Sequence, residues 1–327
     1  MKLIRQTRPR PVDREAYEAY LKGRFYWDRQ QGITKAIAYF QHAIERDPGY
    51  AQAYAGLADS YVILTIASRL PSKEYFPKAK EAAVRALAID NTLAEAHASL
   101  GSTLRFYEWD WPGAEREFKR AIELNPSYAP AHRFYSVYLS GMGRHQEAIA
   151  EAKRSQQLDP VSLSVNASAG RCFYYARQYD QAIEQCNKAL EIDPDFWGAH
   201  LGLGWAYEAK GMYGEALAEL QKAAAGNVST DVKSTMGWVY AVSGKARQAR
   251  NILEELISLS KHAYVPPHEL AYVYAGLSQN DQAFACLDRA FQERDERLVW
   301  LKVDPKLDTL RSDPRFAELL RRLRFPP

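Results

Sequence analysis

The sequence is poor in cysteine, in long apolar runs and in excess charge of either sign, and each shortage excludes a class of protein. Its three cysteines, Cys172, Cys186 and Cys286, form no Cys-x-x-Cys pair, which favours a reducing compartment over a disulfide framework. The longest apolar run, residues 61–67, is far shorter than the ~20 residues that cross a bilayer. A formal net charge of +3 does not indicate a dedicated nucleic-acid-binding protein. We therefore expect a soluble, cytoplasmic protein that by itself binds neither nucleic acid nor membrane.

Catalytic and cofactor motifs are also missing from the sequence. There is no Gly-x-Ser-x-Gly nucleophile elbow, and the Gly-Leu-Gly at residues 202–204 lies within a helical pattern, where it forms no nucleotide-binding loop. The acidic pairs Asp193/Asp195 and Asp281/Asp288 fall at expected turns and on solvated helix faces. We expect no catalytic residues, no cofactor and no enzyme activity.

What the sequence does contain is an internal repeat. Pro126, Pro160 and Pro194 each follow Asn or Asp, and both intervals (160 − 126 and 194 − 160) are 34 residues; Pro48 is an earlier member of the series. The residue before a proline is pushed out of the helical region, so each of these prolines ends a helix. A fixed period of this length is typical of stacked helical hairpins.

Each repeat holds two stretches of helical periodicity. The stretch after each proline carries Gly or Ala next to a large apolar residue, as in Leu100-Gly101 and Leu203-Gly204, which lets two helix axes approach closely. The stretch before each proline has small or apolar residues four and seven apart, in sets such as Ala36, Phe40, Ala43; Ala114, Phe118, Ala121; and Ala182, Cys186, Ala189.

These units resemble the tetratricopeptide repeat family from about Ala16 to Glu293. The resemblance implies an all-α fold, a right-handed α-solenoid of about eight helical hairpins with a C-terminal capping helix. Residues 1–13 have the composition of a basic linker or tail, and residues 296–327 are assigned to the C-terminal cap. The array, residues 14–295, divides into units of about 14–50, 51–93, 94–128, 129–162, 163–196, 197–229, 230–263 and 264–295. Residues 65–77 are interpreted as an insertion between the helices of the second unit, either a surface loop or a functional face.

Three histidines, His97, His132 and His200, occupy the same place in three units, which Tyr54 and Asn166 fill in two others. A metal site would need ligands converging on one point, whereas equivalent positions of stacked hairpins lie about a helix diameter apart. The pattern therefore favours packing over metal binding.

The resemblance also implies that the first helix of each unit lines a concave groove. Aromatic and Arg side chains concentrate in the carboxy-terminal half of that surface, which is typical of protein-binding hot spots, although the two Trp side chains could instead fill gaps between neighbouring helices. The candidate partner-binding residues are Arg105, Arg171, Tyr174, Trp205, Trp238 and Tyr272.

The sequence thus favours a non-catalytic scaffold that binds a peptide or protein segment in its groove. Two alternatives remain. Because the stretch from Leu310 to Phe316 resembles the ends of repeat regions in multidomain bacterial signalling and transcription regulators, the chain could be the regulatory arm of such a protein, acting on its own effector domain. It could also be a self-assembling adaptor that forms a homo-oligomer.

Overall fold

The computed structural model describes residues 12–28, 32–68, 70–226 and 229–326; residues 1–11, which make up most of the predicted basic tail, lie outside them. Within these ranges the chain is helical and has no strand, and none of its helices is both long and apolar enough to span a membrane. The α-helices are α1 Arg14–Asp28, α2 Ile33–Arg46, α3 Ala51–Ser68, α4 Ser72–Ile89, α5 Ala94–Thr103, α6 Trp111–Leu124, α7 Ala129–Gly141, α8 His145–Leu158, α9 Leu163–Tyr175, α10 Tyr179–Ile192, α11 Trp197–Ala209, α12 Tyr213–Gly226, α13 Thr230–Val242, α14 Ala246–Leu259, α15 Pro267–Gly276, α16 Asn280–Glu293 and α17 Pro314–Arg322.

Helices α1 to α16 pair in chain order into eight hairpins. Each odd-numbered helix packs on the even-numbered helix that follows it, and from α1 to α15 the odd-numbered helices also pack on one another side by side. This arrangement confirms the predicted solenoid of about eight hairpins. The odd-numbered helices are the first helices of the units, so they form the surface on which the groove was expected.

Small residues allow the hairpins to interlock. The ring of Phe40 on α2 is fully buried between α1 and α3, where Gly23 and Gly56 face it. A Cβ added at either glycine would lie 2.6 Å from a ring atom of Phe40, closer than two carbon atoms can approach. The glycines of the repeat are therefore required by the close approach of a large side chain from the neighbouring helix.

The interpretation of residues 65–77 as an insertion between two helices is wrong. Residues 65–68 are the last residues of α3, and residues 72–77 are the first residues of α4, with Pro77 inside that helix. The apolar spacing that continues through Phe76, Ala79 and Ala83, all fully buried, outweighs the single main-chain hydrogen bond that Pro77 cannot donate. The extra residues lengthen both helices, and the Phe76 ring stacks on Phe106 of the next unit at 5.8 Å.

The carboxy-terminal end of the array reaches back to the third hairpin. A π-helical turn, Leu104–Glu108, extends α5 and is followed by Trp109 in the left-handed conformation, with φ of 55°. The Trp109 ring stacks on Phe291 of α16 at 4.9 Å, and Arg294 Nη1 donates to the carbonyl of Tyr107 at 3.1 Å. Trp111 Nε1 donates to the carbonyl of Leu323 at 2.9 Å. The hairpins from α5 to α16 therefore close on themselves.

Residues 295–310, here called the groove segment, run along the first helices inside this closed part. The segment contains two 3₁₀ turns, Glu296–Trp300 and Pro305–Leu310. Helix α17 then packs on the last hairpin as the predicted cap, with ion pairs to α16 from Arg315 to Asp281 at 2.9 Å and from Arg322 to Asp288 at 2.6 Å. The sequence analysis assigned all of residues 296–327 to the cap and did not foresee that residues 296–310 lie along the first helices.

Candidate functional site

The six predicted groove residues lie on the first helices of successive hairpins or, for Arg105, on the π-helical turn after α5. The structure brings several of them together: the rings of Tyr174 and Trp205 lie 5.7 Å apart, and the guanidinium of Arg171 lies 5.6 Å from the Trp205 ring. Trp205 and Trp238 are both 5% exposed, and each indole N–H has an acceptor, Thr235 Oγ1 and Glu208 Oε1 respectively. The two indoles are thus buried among neighbouring elements, as in the alternative that the sequence left open, and the groove is closed at these residues.

An aromatic cage in the groove holds a lysine of the groove segment. Lys306 Nζ lies 4.9 Å from the ring centroid of Trp205, 5.3 Å from that of Tyr174 and 5.7 Å from that of Tyr272. It also donates to the hydroxyl of Tyr174 at 3.3 Å, and the lysine is only 3% exposed. Aromatic ring faces attract a desolvated cation. Burial raises the pKa of the nearby Glu208, and the charge of Lys306 opposes that rise, so the lysine and the ionised glutamate favour each other. Three of the six predicted residues therefore form one cation-binding cage.

Buried polar pairs hold the rest of the groove segment. Arg297 Nη2 donates to Asp231 Oδ2 of α13 at 2.8 Å, and the Tyr272 hydroxyl donates to Asp304 Oδ2 at 2.7 Å. Burial, and then the charge of Asp304, raise the pKa of Tyr272 well above its usual range. The hydroxyl therefore keeps its proton and acts as a permanent donor to the carboxylate.

A third buried acid, Asp295, accepts from His268 Nδ1 at 2.7 Å, and both side chains are almost inaccessible to solvent. Burial opposes the charged form of each partner, but their mutual attraction prevails. It lowers the pKa of Asp295 and raises the pKa of His268. The pair fixes the start of the groove segment to α15.

Two further contacts of the groove segment differ in character. Trp300, 2% exposed, stacks on Tyr175 of α9 with ring centroids 4.4 Å apart and planes 15° from parallel. Near the end of the segment, Arg177 makes two hydrogen bonds to the carboxylate of Asp308, at 2.6 and 2.8 Å, from a position open to solvent. The first contact is apolar and dry, whereas the second is an exposed ion pair.

Arg105 is a buried charge at the site whose hydrogen bonding is incomplete. It is 1% exposed, and its guanidinium lies between the rings of Phe106, at 4.4 Å, and Trp300, at 4.7 Å. Among the described residues, its Nε and Nη2 find no hydrogen-bond acceptor. Burial, and then the neighbouring charge of Arg171, lower the pKa of Arg105 to about 9.

Nearer the amino terminus, Asp59 on α3 is 4% exposed, and its Oδ1 has no hydrogen-bond partner among the described residues. Burial raises the pKa of this carboxyl to about 6, although Arg133 and Arg24 oppose the shift. Burying a carboxylate without a full set of hydrogen-bond partners lowers the free energy of unfolding. It marks a second polar point on the inner surface, outside the aromatic cage.

The three equivalent histidines make one repeated hydrogen-bonding arrangement. Each ring Nδ1 pairs with a glutamate of the second helix of its unit, at 2.7 Å for His97 and 2.6 Å for His132 and His200. Each Nε2 pairs with a main-chain carbonyl six residues earlier. Both ring nitrogens are therefore engaged within the hairpin, and Asn166 makes the matching contact to the carbonyl of Pro160 at 3.0 Å. The side chains join the two helices of a unit to the turn that precedes it.

The sequence reasoning missed the residues of the groove segment that complete the site, notably Arg297, Asp304 and Lys306. A local signal for them existed. Asp295, Asp304 and Asp313 recur at intervals of nine residues (304 − 295 and 313 − 304), and each accepts from a backbone N–H two residues later to begin a short helix. The residue that donates this N–H is basic in all three cases, and its side chain hydrogen-bonds to a helix of the array.

Comparison with known proteins agrees with this architecture. Two family models described as tetratricopeptide repeat match residues 103–162 and 173–238. The TPR repeat-containing protein YpiA of Bacillus subtilis is 24% identical over 275 residues, which cover 81% of this chain and 62% of YpiA. The transcriptional regulator HilA of Salmonella paratyphi A is 24% identical over 50% of this chain and 30% of its own length. The chain spans less than two thirds of these relatives.

Among solved structures, a monomeric mutant of human IFIT1 with Gppp-AAAA has a TM-score of 0.67 and is 18% identical, with 94% of this chain and 71% of IFIT1 covered. At this identity the likeness concerns the fold alone. The 34-residue period, the eight hairpins, their interlocking small residues and the two matching family models lead to one conclusion. The chain belongs to the tetratricopeptide repeat family.

Proposed function

We propose that this protein is a non-catalytic scaffold whose concave groove binds a polypeptide segment of a partner protein. The observation that carries the proposal is the groove segment itself. Residues 295–310 lie on the inner face as two short 3₁₀ turns joined by residues 301–304, and four of the six predicted residues contact them: Arg105, Tyr174, Trp205 and Tyr272. The surface is thus complementary to a polypeptide chain.

The contacts of the groove segment indicate which partner chemistry the groove accepts. The aromatic cage takes a primary ammonium group, as it does for Lys306. The Tyr272 hydroxyl takes a carboxylate, as it does for Asp304. These two positions are two residues apart in the groove segment, so a partner segment with an acidic and a basic residue at that spacing would make both contacts.

In this proposal the partner competes with the groove segment, because both use the same side chains. A ligand that must displace an internal competitor binds with an apparent affinity reduced by the fraction of open molecules. Weakening the groove segment should therefore strengthen partner binding. Asp308 is suited to this purpose because it contacts Arg177 at the exposed end and lies outside the cage.

The test compares capture of binding proteins from a lysate of the source organism by the wild-type chain and by the Asp308→Asn variant. An exposed ion pair contributes up to about 1 kcal/mol, so we expect the variant to hold the same partner about two- to fivefold more tightly. Asp180→Asn removes another exposed carboxylate, the partner of Lys210 on neighbouring hairpins, and serves as the control. Equal affinities for all three proteins would refute competition in the groove.

A regulatory arm of a transcription protein is a second candidate, favoured by the match to HilA over half of this chain. In that case the groove would respond to an effector domain of the same protein. Mixing the chain with the isolated effector domain of its own full-length protein would test it. Binding that Asp308→Asn strengthens would support this candidate, and absence of binding would exclude it.

A further inference from the structure

The complementarity between the groove and the groove segment is incomplete at Arg105. This arginine is 1% exposed, yet its Nε and Nη2 have no acceptor among the described residues. The Nη2 of Arg105 lies 3.8 Å from the point where a Cβ on Gly141 of α7 would stand. Buried guanidinium groups are normally paired, since leaving their donors unfilled costs free energy.

The groove segment supplies a carboxylate to other donors of the inner surface but not to Arg105. Asp304 accepts from Tyr272 and Asp308 from Arg177, whereas Arg105 receives only the ring face of Trp300. A ring face attracts a cation but accepts no conventional hydrogen bond from the edge of a guanidinium. The groove segment thus fills the groove and leaves its most deeply buried cation unsatisfied.

We infer that Arg105 recognises a carboxylate of the partner segment, an Asp or Glu side chain that takes the place held by Trp300 in the closed chain. This inference rests on the proposed groove function and adds the partner's chemistry at one position. A carboxylate can take two N–H groups of one guanidinium in parallel, which is the strongest neutralisation available to arginine. The partner therefore gains at Arg105 a contact that the groove segment lacks, and this gain favours displacement.

The surroundings favour a polypeptide over a polyanion such as RNA. The inner surface near the cage also carries the buried carboxylate of Glu208, whose Oε2 has no hydrogen-bond partner in the described part of the chain. Asp231 and Asp59 add two further acids to the same inner surface. A chain of phosphates would meet these acids, whereas a polypeptide can place one acid at Arg105 and a lysine at the cage.

The experiment uses a displayed library of 16-residue peptides with the sequence of residues 295–310, in which positions 298–302 are randomised. The full-length Asp308→Asn chain is the bait, because its own groove segment is weakened. Parallel baits add Arg105→Met, which keeps the length of the side chain without its charge, or Arg105→Lys, which keeps the charge. Circular dichroism and thermal melting confirm that each bait is folded.

We expect Asp or Glu to be enriched at one randomised position on the bait that keeps Arg105. The selected peptide should bind the Arg105→Met bait at least about tenfold more weakly than the bait that keeps Arg105. Its affinity for the Arg105→Lys bait should lie between the two. Peptides that bind without an acidic preference, or equally to the Arg105→Met bait, would overturn this inference and leave the groove function standing. If no peptide bound any bait, both proposals would fail.

A 5′-phosphorylated RNA oligonucleotide, tested on the same baits, shows whether Arg105 binds a phosphate instead of a polypeptide carboxylate. Binding of the RNA that requires Arg105, at a salt concentration of 150 mM (about physiological), would assign the arginine to a phosphate and overturn the polypeptide assignment. Absence of RNA binding, together with acidic enrichment among the peptides, supports it.

Discussion

Replacing Trp300 by Ala tests whether the groove segment is held mainly by the buried contact between Trp300 and Tyr175. The indole is 2% exposed and stacks on Tyr175, with the ring centroids 4.4 Å apart. The guanidinium of Arg105 lies 4.7 Å from the centroid of the Trp300 ring. Truncating a buried Trp costs about 3–5 kcal/mol where the structure cannot collapse into the space. Since ~1.4 kcal/mol corresponds to a tenfold change, docking of the segment should weaken by at least about 100-fold. The array itself should stay folded, because α1 to α16 keep their own hairpin contacts.

Hydrogen exchange measured by mass spectrometry separates these two expectations, since it follows each segment rather than one global transition. Amides of residues 295–310 should lose their protection in Trp300→Ala, while α7 to α12 keep theirs. Trp27→Ala provides the control, because Trp27 is a partly exposed indole at the other end of the array, stacked under Arg24 at 4.9 Å. Unchanged protection of residues 295–310 in Trp300→Ala would refute the reasoning, as would equal loss in the control.

Three further substitutions test separate parts of the structure. Asp59→Asn should stabilise the folded protein at pH 8. Burial raises the pKa of Asp59 in the folded protein from 3.8 to about 6. The contribution of this carboxyl to folding stability is therefore fully present below pH ~4 and is lost as pH rises through 6. Urea unfolding should show a gain of at most about 3 kcal/mol at pH 8 that shrinks toward pH 4, whereas a pH-independent gain would contradict the assignment. Gly202→Ala should destabilise by about 1–3 kcal/mol, because its Cβ would lie 2.7 Å from Cys186 Sγ, and Cys186→Ala should relieve that loss in the double variant. His200→Ala should cost about 1–3 kcal/mol in thermal or urea unfolding, since it leaves the Pro194 carbonyl and Glu219 without their shared partner; a cost below about 0.5 kcal/mol would contradict a joining role.

Much of the fold could be predicted because its contacts are local and repeat. The spacing of Ala36, Phe40 and Ala43 determines which face of one helix is buried, and the partner face lies one hairpin away in sequence. The interpretation of residues 65–77 as an insertion failed because most of these residues extend α3 and α4 instead of separating them. The continuing apolar spacing from Phe76 onward carried the opposite information.

The path of the groove segment could not be predicted in the same way, because its contacts are distant in sequence. Arg177 and Asp308 are 131 residues apart, and Trp111 and Leu323 are 212 apart. No repeat period relates such pairs, since the segment lies across the first helices instead of adding another hairpin. The family resemblance indicated which residues line the groove, but only the three-dimensional closure of the array shows what occupies it. The role of those residues in binding a separate partner stays a prediction.

The most direct test of the account is hydrogen exchange of the full chain with and without a partner captured by it. The proposed groove function predicts that partner binding removes the protection of residues 295–310 while the inner helices α9, α11 and α13 stay protected, because the partner replaces the groove segment on the same surface. If residues 295–310 remained as protected in the complex as in the free protein, with new protection on another face, the concave groove would not be the binding site.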